Sequence, residues 1–272
     1  MYRQIGGGSA IRRLTEAQAS ALERMLAATG DPCLVRVAFT CSEPFIESVV
    51  QEVAAVGANR LLALPLYPQY SLSTSKSALD RFGRAVRRWI PSADYDEIAS
   101  YPDEPGFLDA HADLIRTELA KMKPADETGP HLLFSAHSIP ERFVSRYGDP
   151  YPVEVRQSVD GILNKLAWKG PWSLAWQSKL GPLKWIGPSV KNEIERLGHV
   201  GVKRILIHPV SFVTDHVETL YEIDILLAET ARKAGILEFR RTPALNDHPL
   251  FIRSLADLVR RHPSFMEKKV HG

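Results

Sequence analysis

Ser211-Phe212-Val213-Thr214-Asp215-His216-Val217-Glu218-Thr219-Leu220-Tyr221-Glu222-Ile223-Asp224, with the apolar Ile205-Leu206-Ile207 just before it, is the stretch that decides the fold. Three consecutive large aliphatic residues read as a strand buried on both faces, and such a strand belongs to a parallel sheet covered by helices. The polar residues that follow then emerge at the carboxyl end of the strand, where open α/β sheets bind their ligands. One imidazole and four carboxylates fall in that short run. If helix continues from there, Glu218 and Glu222 lie one turn apart on a shared face. Such a ladder can hold a divalent cation, relay protons, or sit solvated at a helix start, where the dipole favours negative charge. The segment by itself leaves those three readings open.

Working outward, apolar strands and amphipathic helices alternate along the chain. Strands are expected at 34–39, 61–66, 131–134, 174–176 and 205–207, with weaker candidates at 95–98 and 237–239. Helices are expected at 15–29, 44–56, 76–89, 106–122, 152–169, 188–197, 218–234 and 249–261. For the first of these, Thr15 would be the N-cap, Gln18 the other half of a capping box, and Gly30 the stop. The βαβα rhythm argues for an α/β fold with parallel sheets flanked by helices on both faces. Lys123-Pro124-Ala125-Asp126-Glu127-Thr128-Gly129-Pro130 is polar and rich in breakers, which makes it the expected boundary between two similar halves. The division is then 1–124, 125–245 with the His and acidic motifs, and a C-terminal helix within 246–272 that packs back on the first half.

The chain has 272 residues, long enough for two modest halves with a real core, and its 44% hydrophobic and 24% charged residues are ordinary for a globular protein. A net charge of +2 gives no reason to expect nucleic acid, and Arg81, Arg84, Arg87 and Arg88 read as a solvated helix face. Only Cys33 and Cys41 occur, which excludes a four-cysteine zinc or iron–sulfur site within the chain and points to a reducing compartment. No apolar run reaches the roughly 20 residues that span a bilayer, and the first residues do not read as a signal peptide. A soluble, cytoplasmic protein is expected, at most peripheral at the inner membrane. Nothing in the sequence fixes the oligomeric state.

Phe134-Ser135-Ala136-His137-Ser138-Ile139-Pro140 delivers a second histidine to a strand-to-helix turn, where an imidazole faces a cleft and titrates near neutrality. His216 and Glu218 could serve a metal, with His137 as a third ligand from the neighbouring strand. The H-x-E of zinc deaminases needs a P-C-x-x-C downstream, and none exists. There is no G-x-S-x-G elbow, and Gly6-Gly7-Gly8 lacks the Lys-Ser/Thr of a phosphate loop. Tyr67, Trp185 and Phe212 sit in loops after the expected strands, which points to a flat apolar ligand with a polar reaction centre.

Seven segments, in order, resemble the ferrochelatase family: residues 2–9 (Tyr2-Arg3-Gln4-Ile5-Gly6-Gly7-Gly8-Ser9), Tyr67-Pro68-Gln69-Tyr70-Ser71, Ser135-Ala136-His137-Ser138-Ile139-Pro140, Gly148-Asp149-Pro150-Tyr151-Pro152, Trp176-Gln177-Ser178-Lys179, Trp185-Ile186-Gly187-Pro188 and Asp215-His216-Val217-Glu218-Thr219-Leu220. The resemblance implies two Rossmann-like, chelatase-type halves with a porphyrin in the cleft between them. The implied activity is insertion of ferrous iron into protoporphyrin IX or a related porphyrin in haem synthesis, a lyase reaction. It makes His137, Glu218 and His216 the catalytic residues, His137, Glu218 and Glu222 the metal contacts, and Tyr67, Trp185, Phe212, Ser135 and Asp215 the porphyrin contacts. It implies no permanently bound cofactor and no iron–sulfur cluster; ferrous iron and porphyrin are substrates, and the membrane is a peripheral partner.

Three departures from the family pattern bear on these expectations. The family carries several dozen residues, including a first strand, before the tyrosine matching Tyr2, so the first half is expected to lack that strand. Thr40, Cys41, Ser42 and Glu43 stand where many relatives carry an Arg-Tyr pair, an aromatic or valine, and a histidine. Leu226 replaces a further acid, which shortens the outer metal path. A catalytically impaired porphyrin-binding protein is therefore the alternative expectation.

Overall fold

The computed structural model describes residues 2–122, 129–179 and 181–266. After a 3-10 turn at Tyr2–Ile5 come α1 (Ile11–Ala28), α2 (Ile46–Ala55), β1 (Arg60–Ala63), α3 (Ser75–Trp89), β2 (Asp94–Glu97) and α4 (Pro105–Leu119). Then follow β3 (His131–His137), α5 (Glu141–Tyr147), α6 (Tyr151–Leu166), β4 (Trp172–Gln177), α7 (Val190–His199) and β5 (Arg204–Pro209). A π-helical segment (Glu218–Leu227) runs directly into α8 (Ala228–Lys233), and β6 (Glu238–Arg241), α9 (Pro249–Arg261) and α10 (Pro263–Met266) close the chain. Within the described residues β1 and β2 form a two-stranded parallel sheet, and the other strands form a parallel sheet in the order β4-β3-β5-β6. The α/β class with parallel sheets flanked by helices is as the sequence indicated.

The larger sheet is buried on both faces because its central strands each carry an uninterrupted apolar run, Leu132-Leu133-Phe134 in β3 and Ile205-Leu206-Ile207 in β5. Successive side chains of a strand point to opposite faces. In β3 and β5, Leu132, Phe134 and Leu206 join one core with Phe107, Ile162 and Phe251, while Leu133, Ile205 and Ile207 join a second core with Ile194, Ile223 and Ala231. The first core is not divided at the expected boundary: it takes Leu22 and Leu26 from α1, residues of α4, α6 and β3, and Leu255 from α9. Helix α9 packs on α1 and α4. Residues 123–128 of the expected boundary lie outside the described residues.

Two local expectations are corrected. Residues 34–39 are not a strand. Their nearly continuous apolar run suits one, but a ladder needs a neighbour, and within the described residues β1 pairs with β2 alone, so the segment borders a cleft instead of a sheet. Helix α1 begins at Ile11 with Ala10 at its N-cap, so Thr15 and Gln18 do not form a capping box. Gln18 is buried and spent on tertiary contacts: its amide donates to the carbonyls of Val213 (2.9 Å) and Asn246 (2.8 Å) and accepts from Thr214. One early side chain thereby fixes the loop that follows β5. Helix α5 has no counterpart among the expected helices; it sits between Pro140 and Pro150 and, at seven residues, is too short to show a period.

Behind the sheet, His208 of β5 shares a hydrogen bond of 2.8 Å with His111 of α4, and both rings are fully buried. Burial, and secondarily the charge of Arg241, push His208 down to about 3, and burial pushes His131 down to about 4. The unfolded chain therefore binds protons between the ordinary value of about 6.5 and these lowered values while the folded chain does not, so folding stability is lost as pH falls through that window. The thermal midpoint is expected to drop steadily between pH 6.5 and pH 4, and to drop less in His208→Gln. A midpoint independent of pH over that range would contradict this.

Candidate active site

Three strand ends build the site. His137 is the last residue of β3, in register with Gln177 at the end of β4. On its other side, the chain leaving β5 brings Ser211 against it, and the Ser211 hydroxyl accepts the His137 amide at 3.0 Å. Past the turn, Asp215 pins the start of the π-helical segment. One of its carboxylate oxygens accepts from the Thr219 hydroxyl (2.8 Å) and from Arg241 (2.8 Å), and the other from the Asn246 side chain (2.9 Å). That brace aims Glu218 at His137.

The resulting contact is short: His137 Nδ1 lies 2.9 Å from Glu218 Oε2. Burial raises the proton affinity of the Glu218 carboxyl, but the hydrogen bond and charge of His137, the charge of His216 and the Ser178 hydroxyl outweigh it and hold the carboxyl below its usual value. An ionised Glu218 can only accept, so Nδ1 of His137 carries a hydrogen, and whenever the imidazole is neutral it is Nε2 that holds the free lone pair. His216 is set in the same way. Its Nδ1 donates to the carbonyl of Thr214 at 2.9 Å, leaving Nε2 3.9 Å from Glu218 Oε2. The ring of Phe212 stands between the imidazoles, edge-on to His137 at 6.2 Å and tilted against His216 at 5.0 Å.

These side chains open onto a cleft of about 1070 Å³, at the upper limit of the size of ligand pockets. Tyr67, Trp185 and Phe212 line it together with His137, His216 and Glu218, and its far wall is apolar, formed by residues such as Leu34, Val37, Leu62 and Leu64. Burial raises the Tyr67 phenol above its ordinary value, so it stays a neutral donor. The indole nitrogen of Trp185 is buried without a hydrogen-bond partner.

The other residues named from the sequence lie behind this wall. Ser135 is fully buried and donates to the Gln177 side chain. Asp215 is buried in the brace described above and is not part of the lining. Glu222 is also set back from the cleft, where Ser178 and Gln177 hold it. Among the described residues, no three His, Cys, Asp or Glu side chains form a ready metal cage. Sequence reading assigned no role to Gln177 or Ser178, although both fell within a quoted motif. A left-handed serine after a strand has no signature in a single sequence.

The family model described as Ferrochelatase matches residues 1–263. The ferrochelatase of Synechococcus elongatus is 42% identical over 260 residues, covering 95% of this chain and 67% of that protein. That of another Synechococcus strain is 44% identical over 278 residues, covering all of this chain and 81% of the relative. Among solved structures, SirB from Bacillus subtilis with Fe3+ superposes with a TM-score of 0.63 at 16% identity, covering 97% of this chain and 94% of that one. A multi-domain protein from Deinococcus radiodurans with structural similarity to chelatases gives 0.61 at 13% identity, over 95% of this chain and 54% of that one. At such identities the two structures speak to the fold alone.

Proposed function

The chain belongs to the ferrochelatase family, and on that premise we propose that its cleft binds a porphyrin with the macrocycle centre facing His137 and Glu218, where ferrous iron replaces the two inner N–H protons. The reaction is the family's metal-chelating lyase reaction of haem synthesis: porphyrin and Fe2+ give the iron porphyrin and two protons. The observation that carries the placement is the 2.9 Å contact between His137 and Glu218 at the mouth of an aromatic cleft.

Each side chain has a stated task in this reading. His137 Nε2 takes a pyrrole proton, and the imidazolium that forms is stabilised by the Glu218 carboxylate on its other nitrogen. His216 Nε2, 3.9 Å from the same carboxylate, is the second basic nitrogen within reach, and once protonated its positive charge supports Glu218. Tyr67, Phe212 and Trp185 hold the macrocycle, and binding energy from its periphery is spent on bending it so that the nitrogen lone pairs leave the ring plane. Glu218 and Glu222 contact the incoming ion as oxygen ligands, weak enough to release a substrate metal. Ser135 and Asp215 act as braces in this scheme and do not touch the porphyrin.

A second reading has its own observation. Among the described residues, 34–39 join no sheet beyond a single bridge from Phe39 to Phe45, and Thr40 to Glu43 stand where the resemblance expects basic and aromatic residues. An impaired protein that binds porphyrin without turnover fits that wall. Anaerobic incubation with protoporphyrin and ferrous or zinc ion separates the two: metalloporphyrin formation supports the enzyme, whereas fluorescence quenching of porphyrin with no product would establish the binder. No helix among the described residues is long and apolar enough to cross a membrane. The proposed place is the cytoplasm, with exposed Tyr147, Val153 and Leu183 available for peripheral contact at the inner membrane.

A further inference from the structure

We propose that Ser178 is a positioning residue that sets the spacing of Glu218 and Glu222 and thereby the capture of the metal ion; the inference rests on the chelatase reading of the cleft. Ser178 follows β4 directly, and its backbone is left-handed, at φ 63°. Non-glycine residues rarely adopt that conformation, and where they keep it the surrounding contacts over-determine it. Here those contacts are with two carboxylates. The Ser178 amide donates to Glu222 Oε1 at 3.0 Å, and its hydroxyl lies 2.6 Å from Glu222 Oε2 and 2.9 Å from Glu218 Oε2.

One residue therefore engages both oxygens of Glu222 and offers its single hydroxyl hydrogen to either acid. Gln177, itself buried, completes the clasp: its amide donates to the backbone carbonyl of Glu218 at 3.0 Å and reaches Glu222 Oε2 at 3.3 Å, while its oxygen accepts from Ser135. Two carboxylates held this close repel each other, and donors shared between them offset the repulsion. Glycine would serve the turn at lower conformational cost. What glycine lacks is the hydroxyl.

Without the hydroxyl, Glu222 keeps only the amide contact and the edge of Gln177, and its carboxylate relaxes away from Glu218. The approach of the ion is weakened while the aromatic walls that hold porphyrin are untouched. Ser178→Gly removes the hydroxyl, relieves the left-handed strain and preserves the amide; Ser178→Ala removes the hydroxyl and keeps the strain. Both are to be compared with the parent chain for fold by circular dichroism, for zinc affinity without porphyrin, and for KM of zinc and of porphyrin.

The expected result is zinc affinity weakened and KM for zinc raised by about tenfold in both variants, equivalent to about 1.4 kcal/mol, with KM for porphyrin within about twofold of the parent. Either folded variant suffices for the comparison. Zinc affinity and KM equal to the parent's would overturn the role of Ser178, and so would a KM for porphyrin that rises together with that for zinc. A parent that binds zinc but makes no metalloporphyrin sinks the chelatase reading instead, and in that case the zinc affinities of the variants still decide Ser178.

Discussion

Replacing His137 with alanine is expected to lower kcat by roughly 10³-fold, the middle of the range for removal of a general base, with porphyrin affinity within about twofold of the parent. The side chain contributes little area to a cleft of this size, so binding has little to lose. The chemistry loses its best-placed lone pair. With Glu218 ionised and accepting from Nδ1, Nε2 is the nitrogen left to take a proton from the ligand, and among the described residues no other imidazole makes so short a contact with that carboxylate. His216 remains as a partial substitute, which is why residual turnover is expected. Initial rates of zinc-porphyrin formation, with porphyrin fluorescence quenching as the measure of binding, would check both halves. A variant that retains more than about a tenth of the parent rate would remove His137 from the role of base.

The second large effect is on stability. Phe251→Ala is expected to cost about 3–5 kcal/mol, because the ring is fully buried and leaves a cavity that neighbouring elements cannot close. It packs against Phe107 of α4 at 6.3 Å between ring centres, within a core that also takes residues from α1, α6 and β3. The change reports on how far the C-terminal helix belongs to the rest of the fold. Urea unfolding with an unchanged slope and a midpoint lowered by that amount is the expected observation. A loss under about 1 kcal/mol would mean that α9 is peripheral and that its aromatic contact does not carry the core.

How much of this was legible in the sequence depended on whether each signal was local. Ile205-Leu206-Ile207 and Leu132-Leu133-Phe134 announced central strands because all six side chains are buried, on alternating faces, and no polar residue interrupts them. Helix α9 was placed at its observed limits, since Pro249 starts it and the apolar spacing is strong. Residues 34–39 carry an apolar run broken only by Arg36 and are nevertheless no strand, because pairing is a property of two segments and one segment cannot declare it. Thr15 and Gln18 matched a capping pattern by composition; the buried contacts of Gln18 to Val213, Thr214 and Asn246 are too distant in sequence to foresee.

The site divides in the same way. His137, His216 and Glu218 could be found because strand ends in parallel sheets converge, and Tyr67, Trp185 and Phe212 because aromatics in those loops share a cleft. Helical spacing put Glu222 on the face of Glu218, but nothing local showed that it would stand back from the cleft. Its position depends on a π-helical backbone and on Ser178, which arrives from another strand in a left-handed conformation. Ser135 and Asp215 belong to motifs whose residue types fit a ligand as well as a brace, and only their burial and partners distinguish the two.

The most direct test of the central claim, that His137 and Glu218 act as one reaction centre, is a double-mutant cycle on the rate of metalloporphyrin formation with His137→Ala, Glu218→Gln and the pair. Residues that work as a unit give non-additive losses. The expected result is a double variant about as slow as His137→Ala alone. A double variant whose loss is the product of the two single losses would show that the residues act independently, and would contradict the assignment of their contact as the reaction centre.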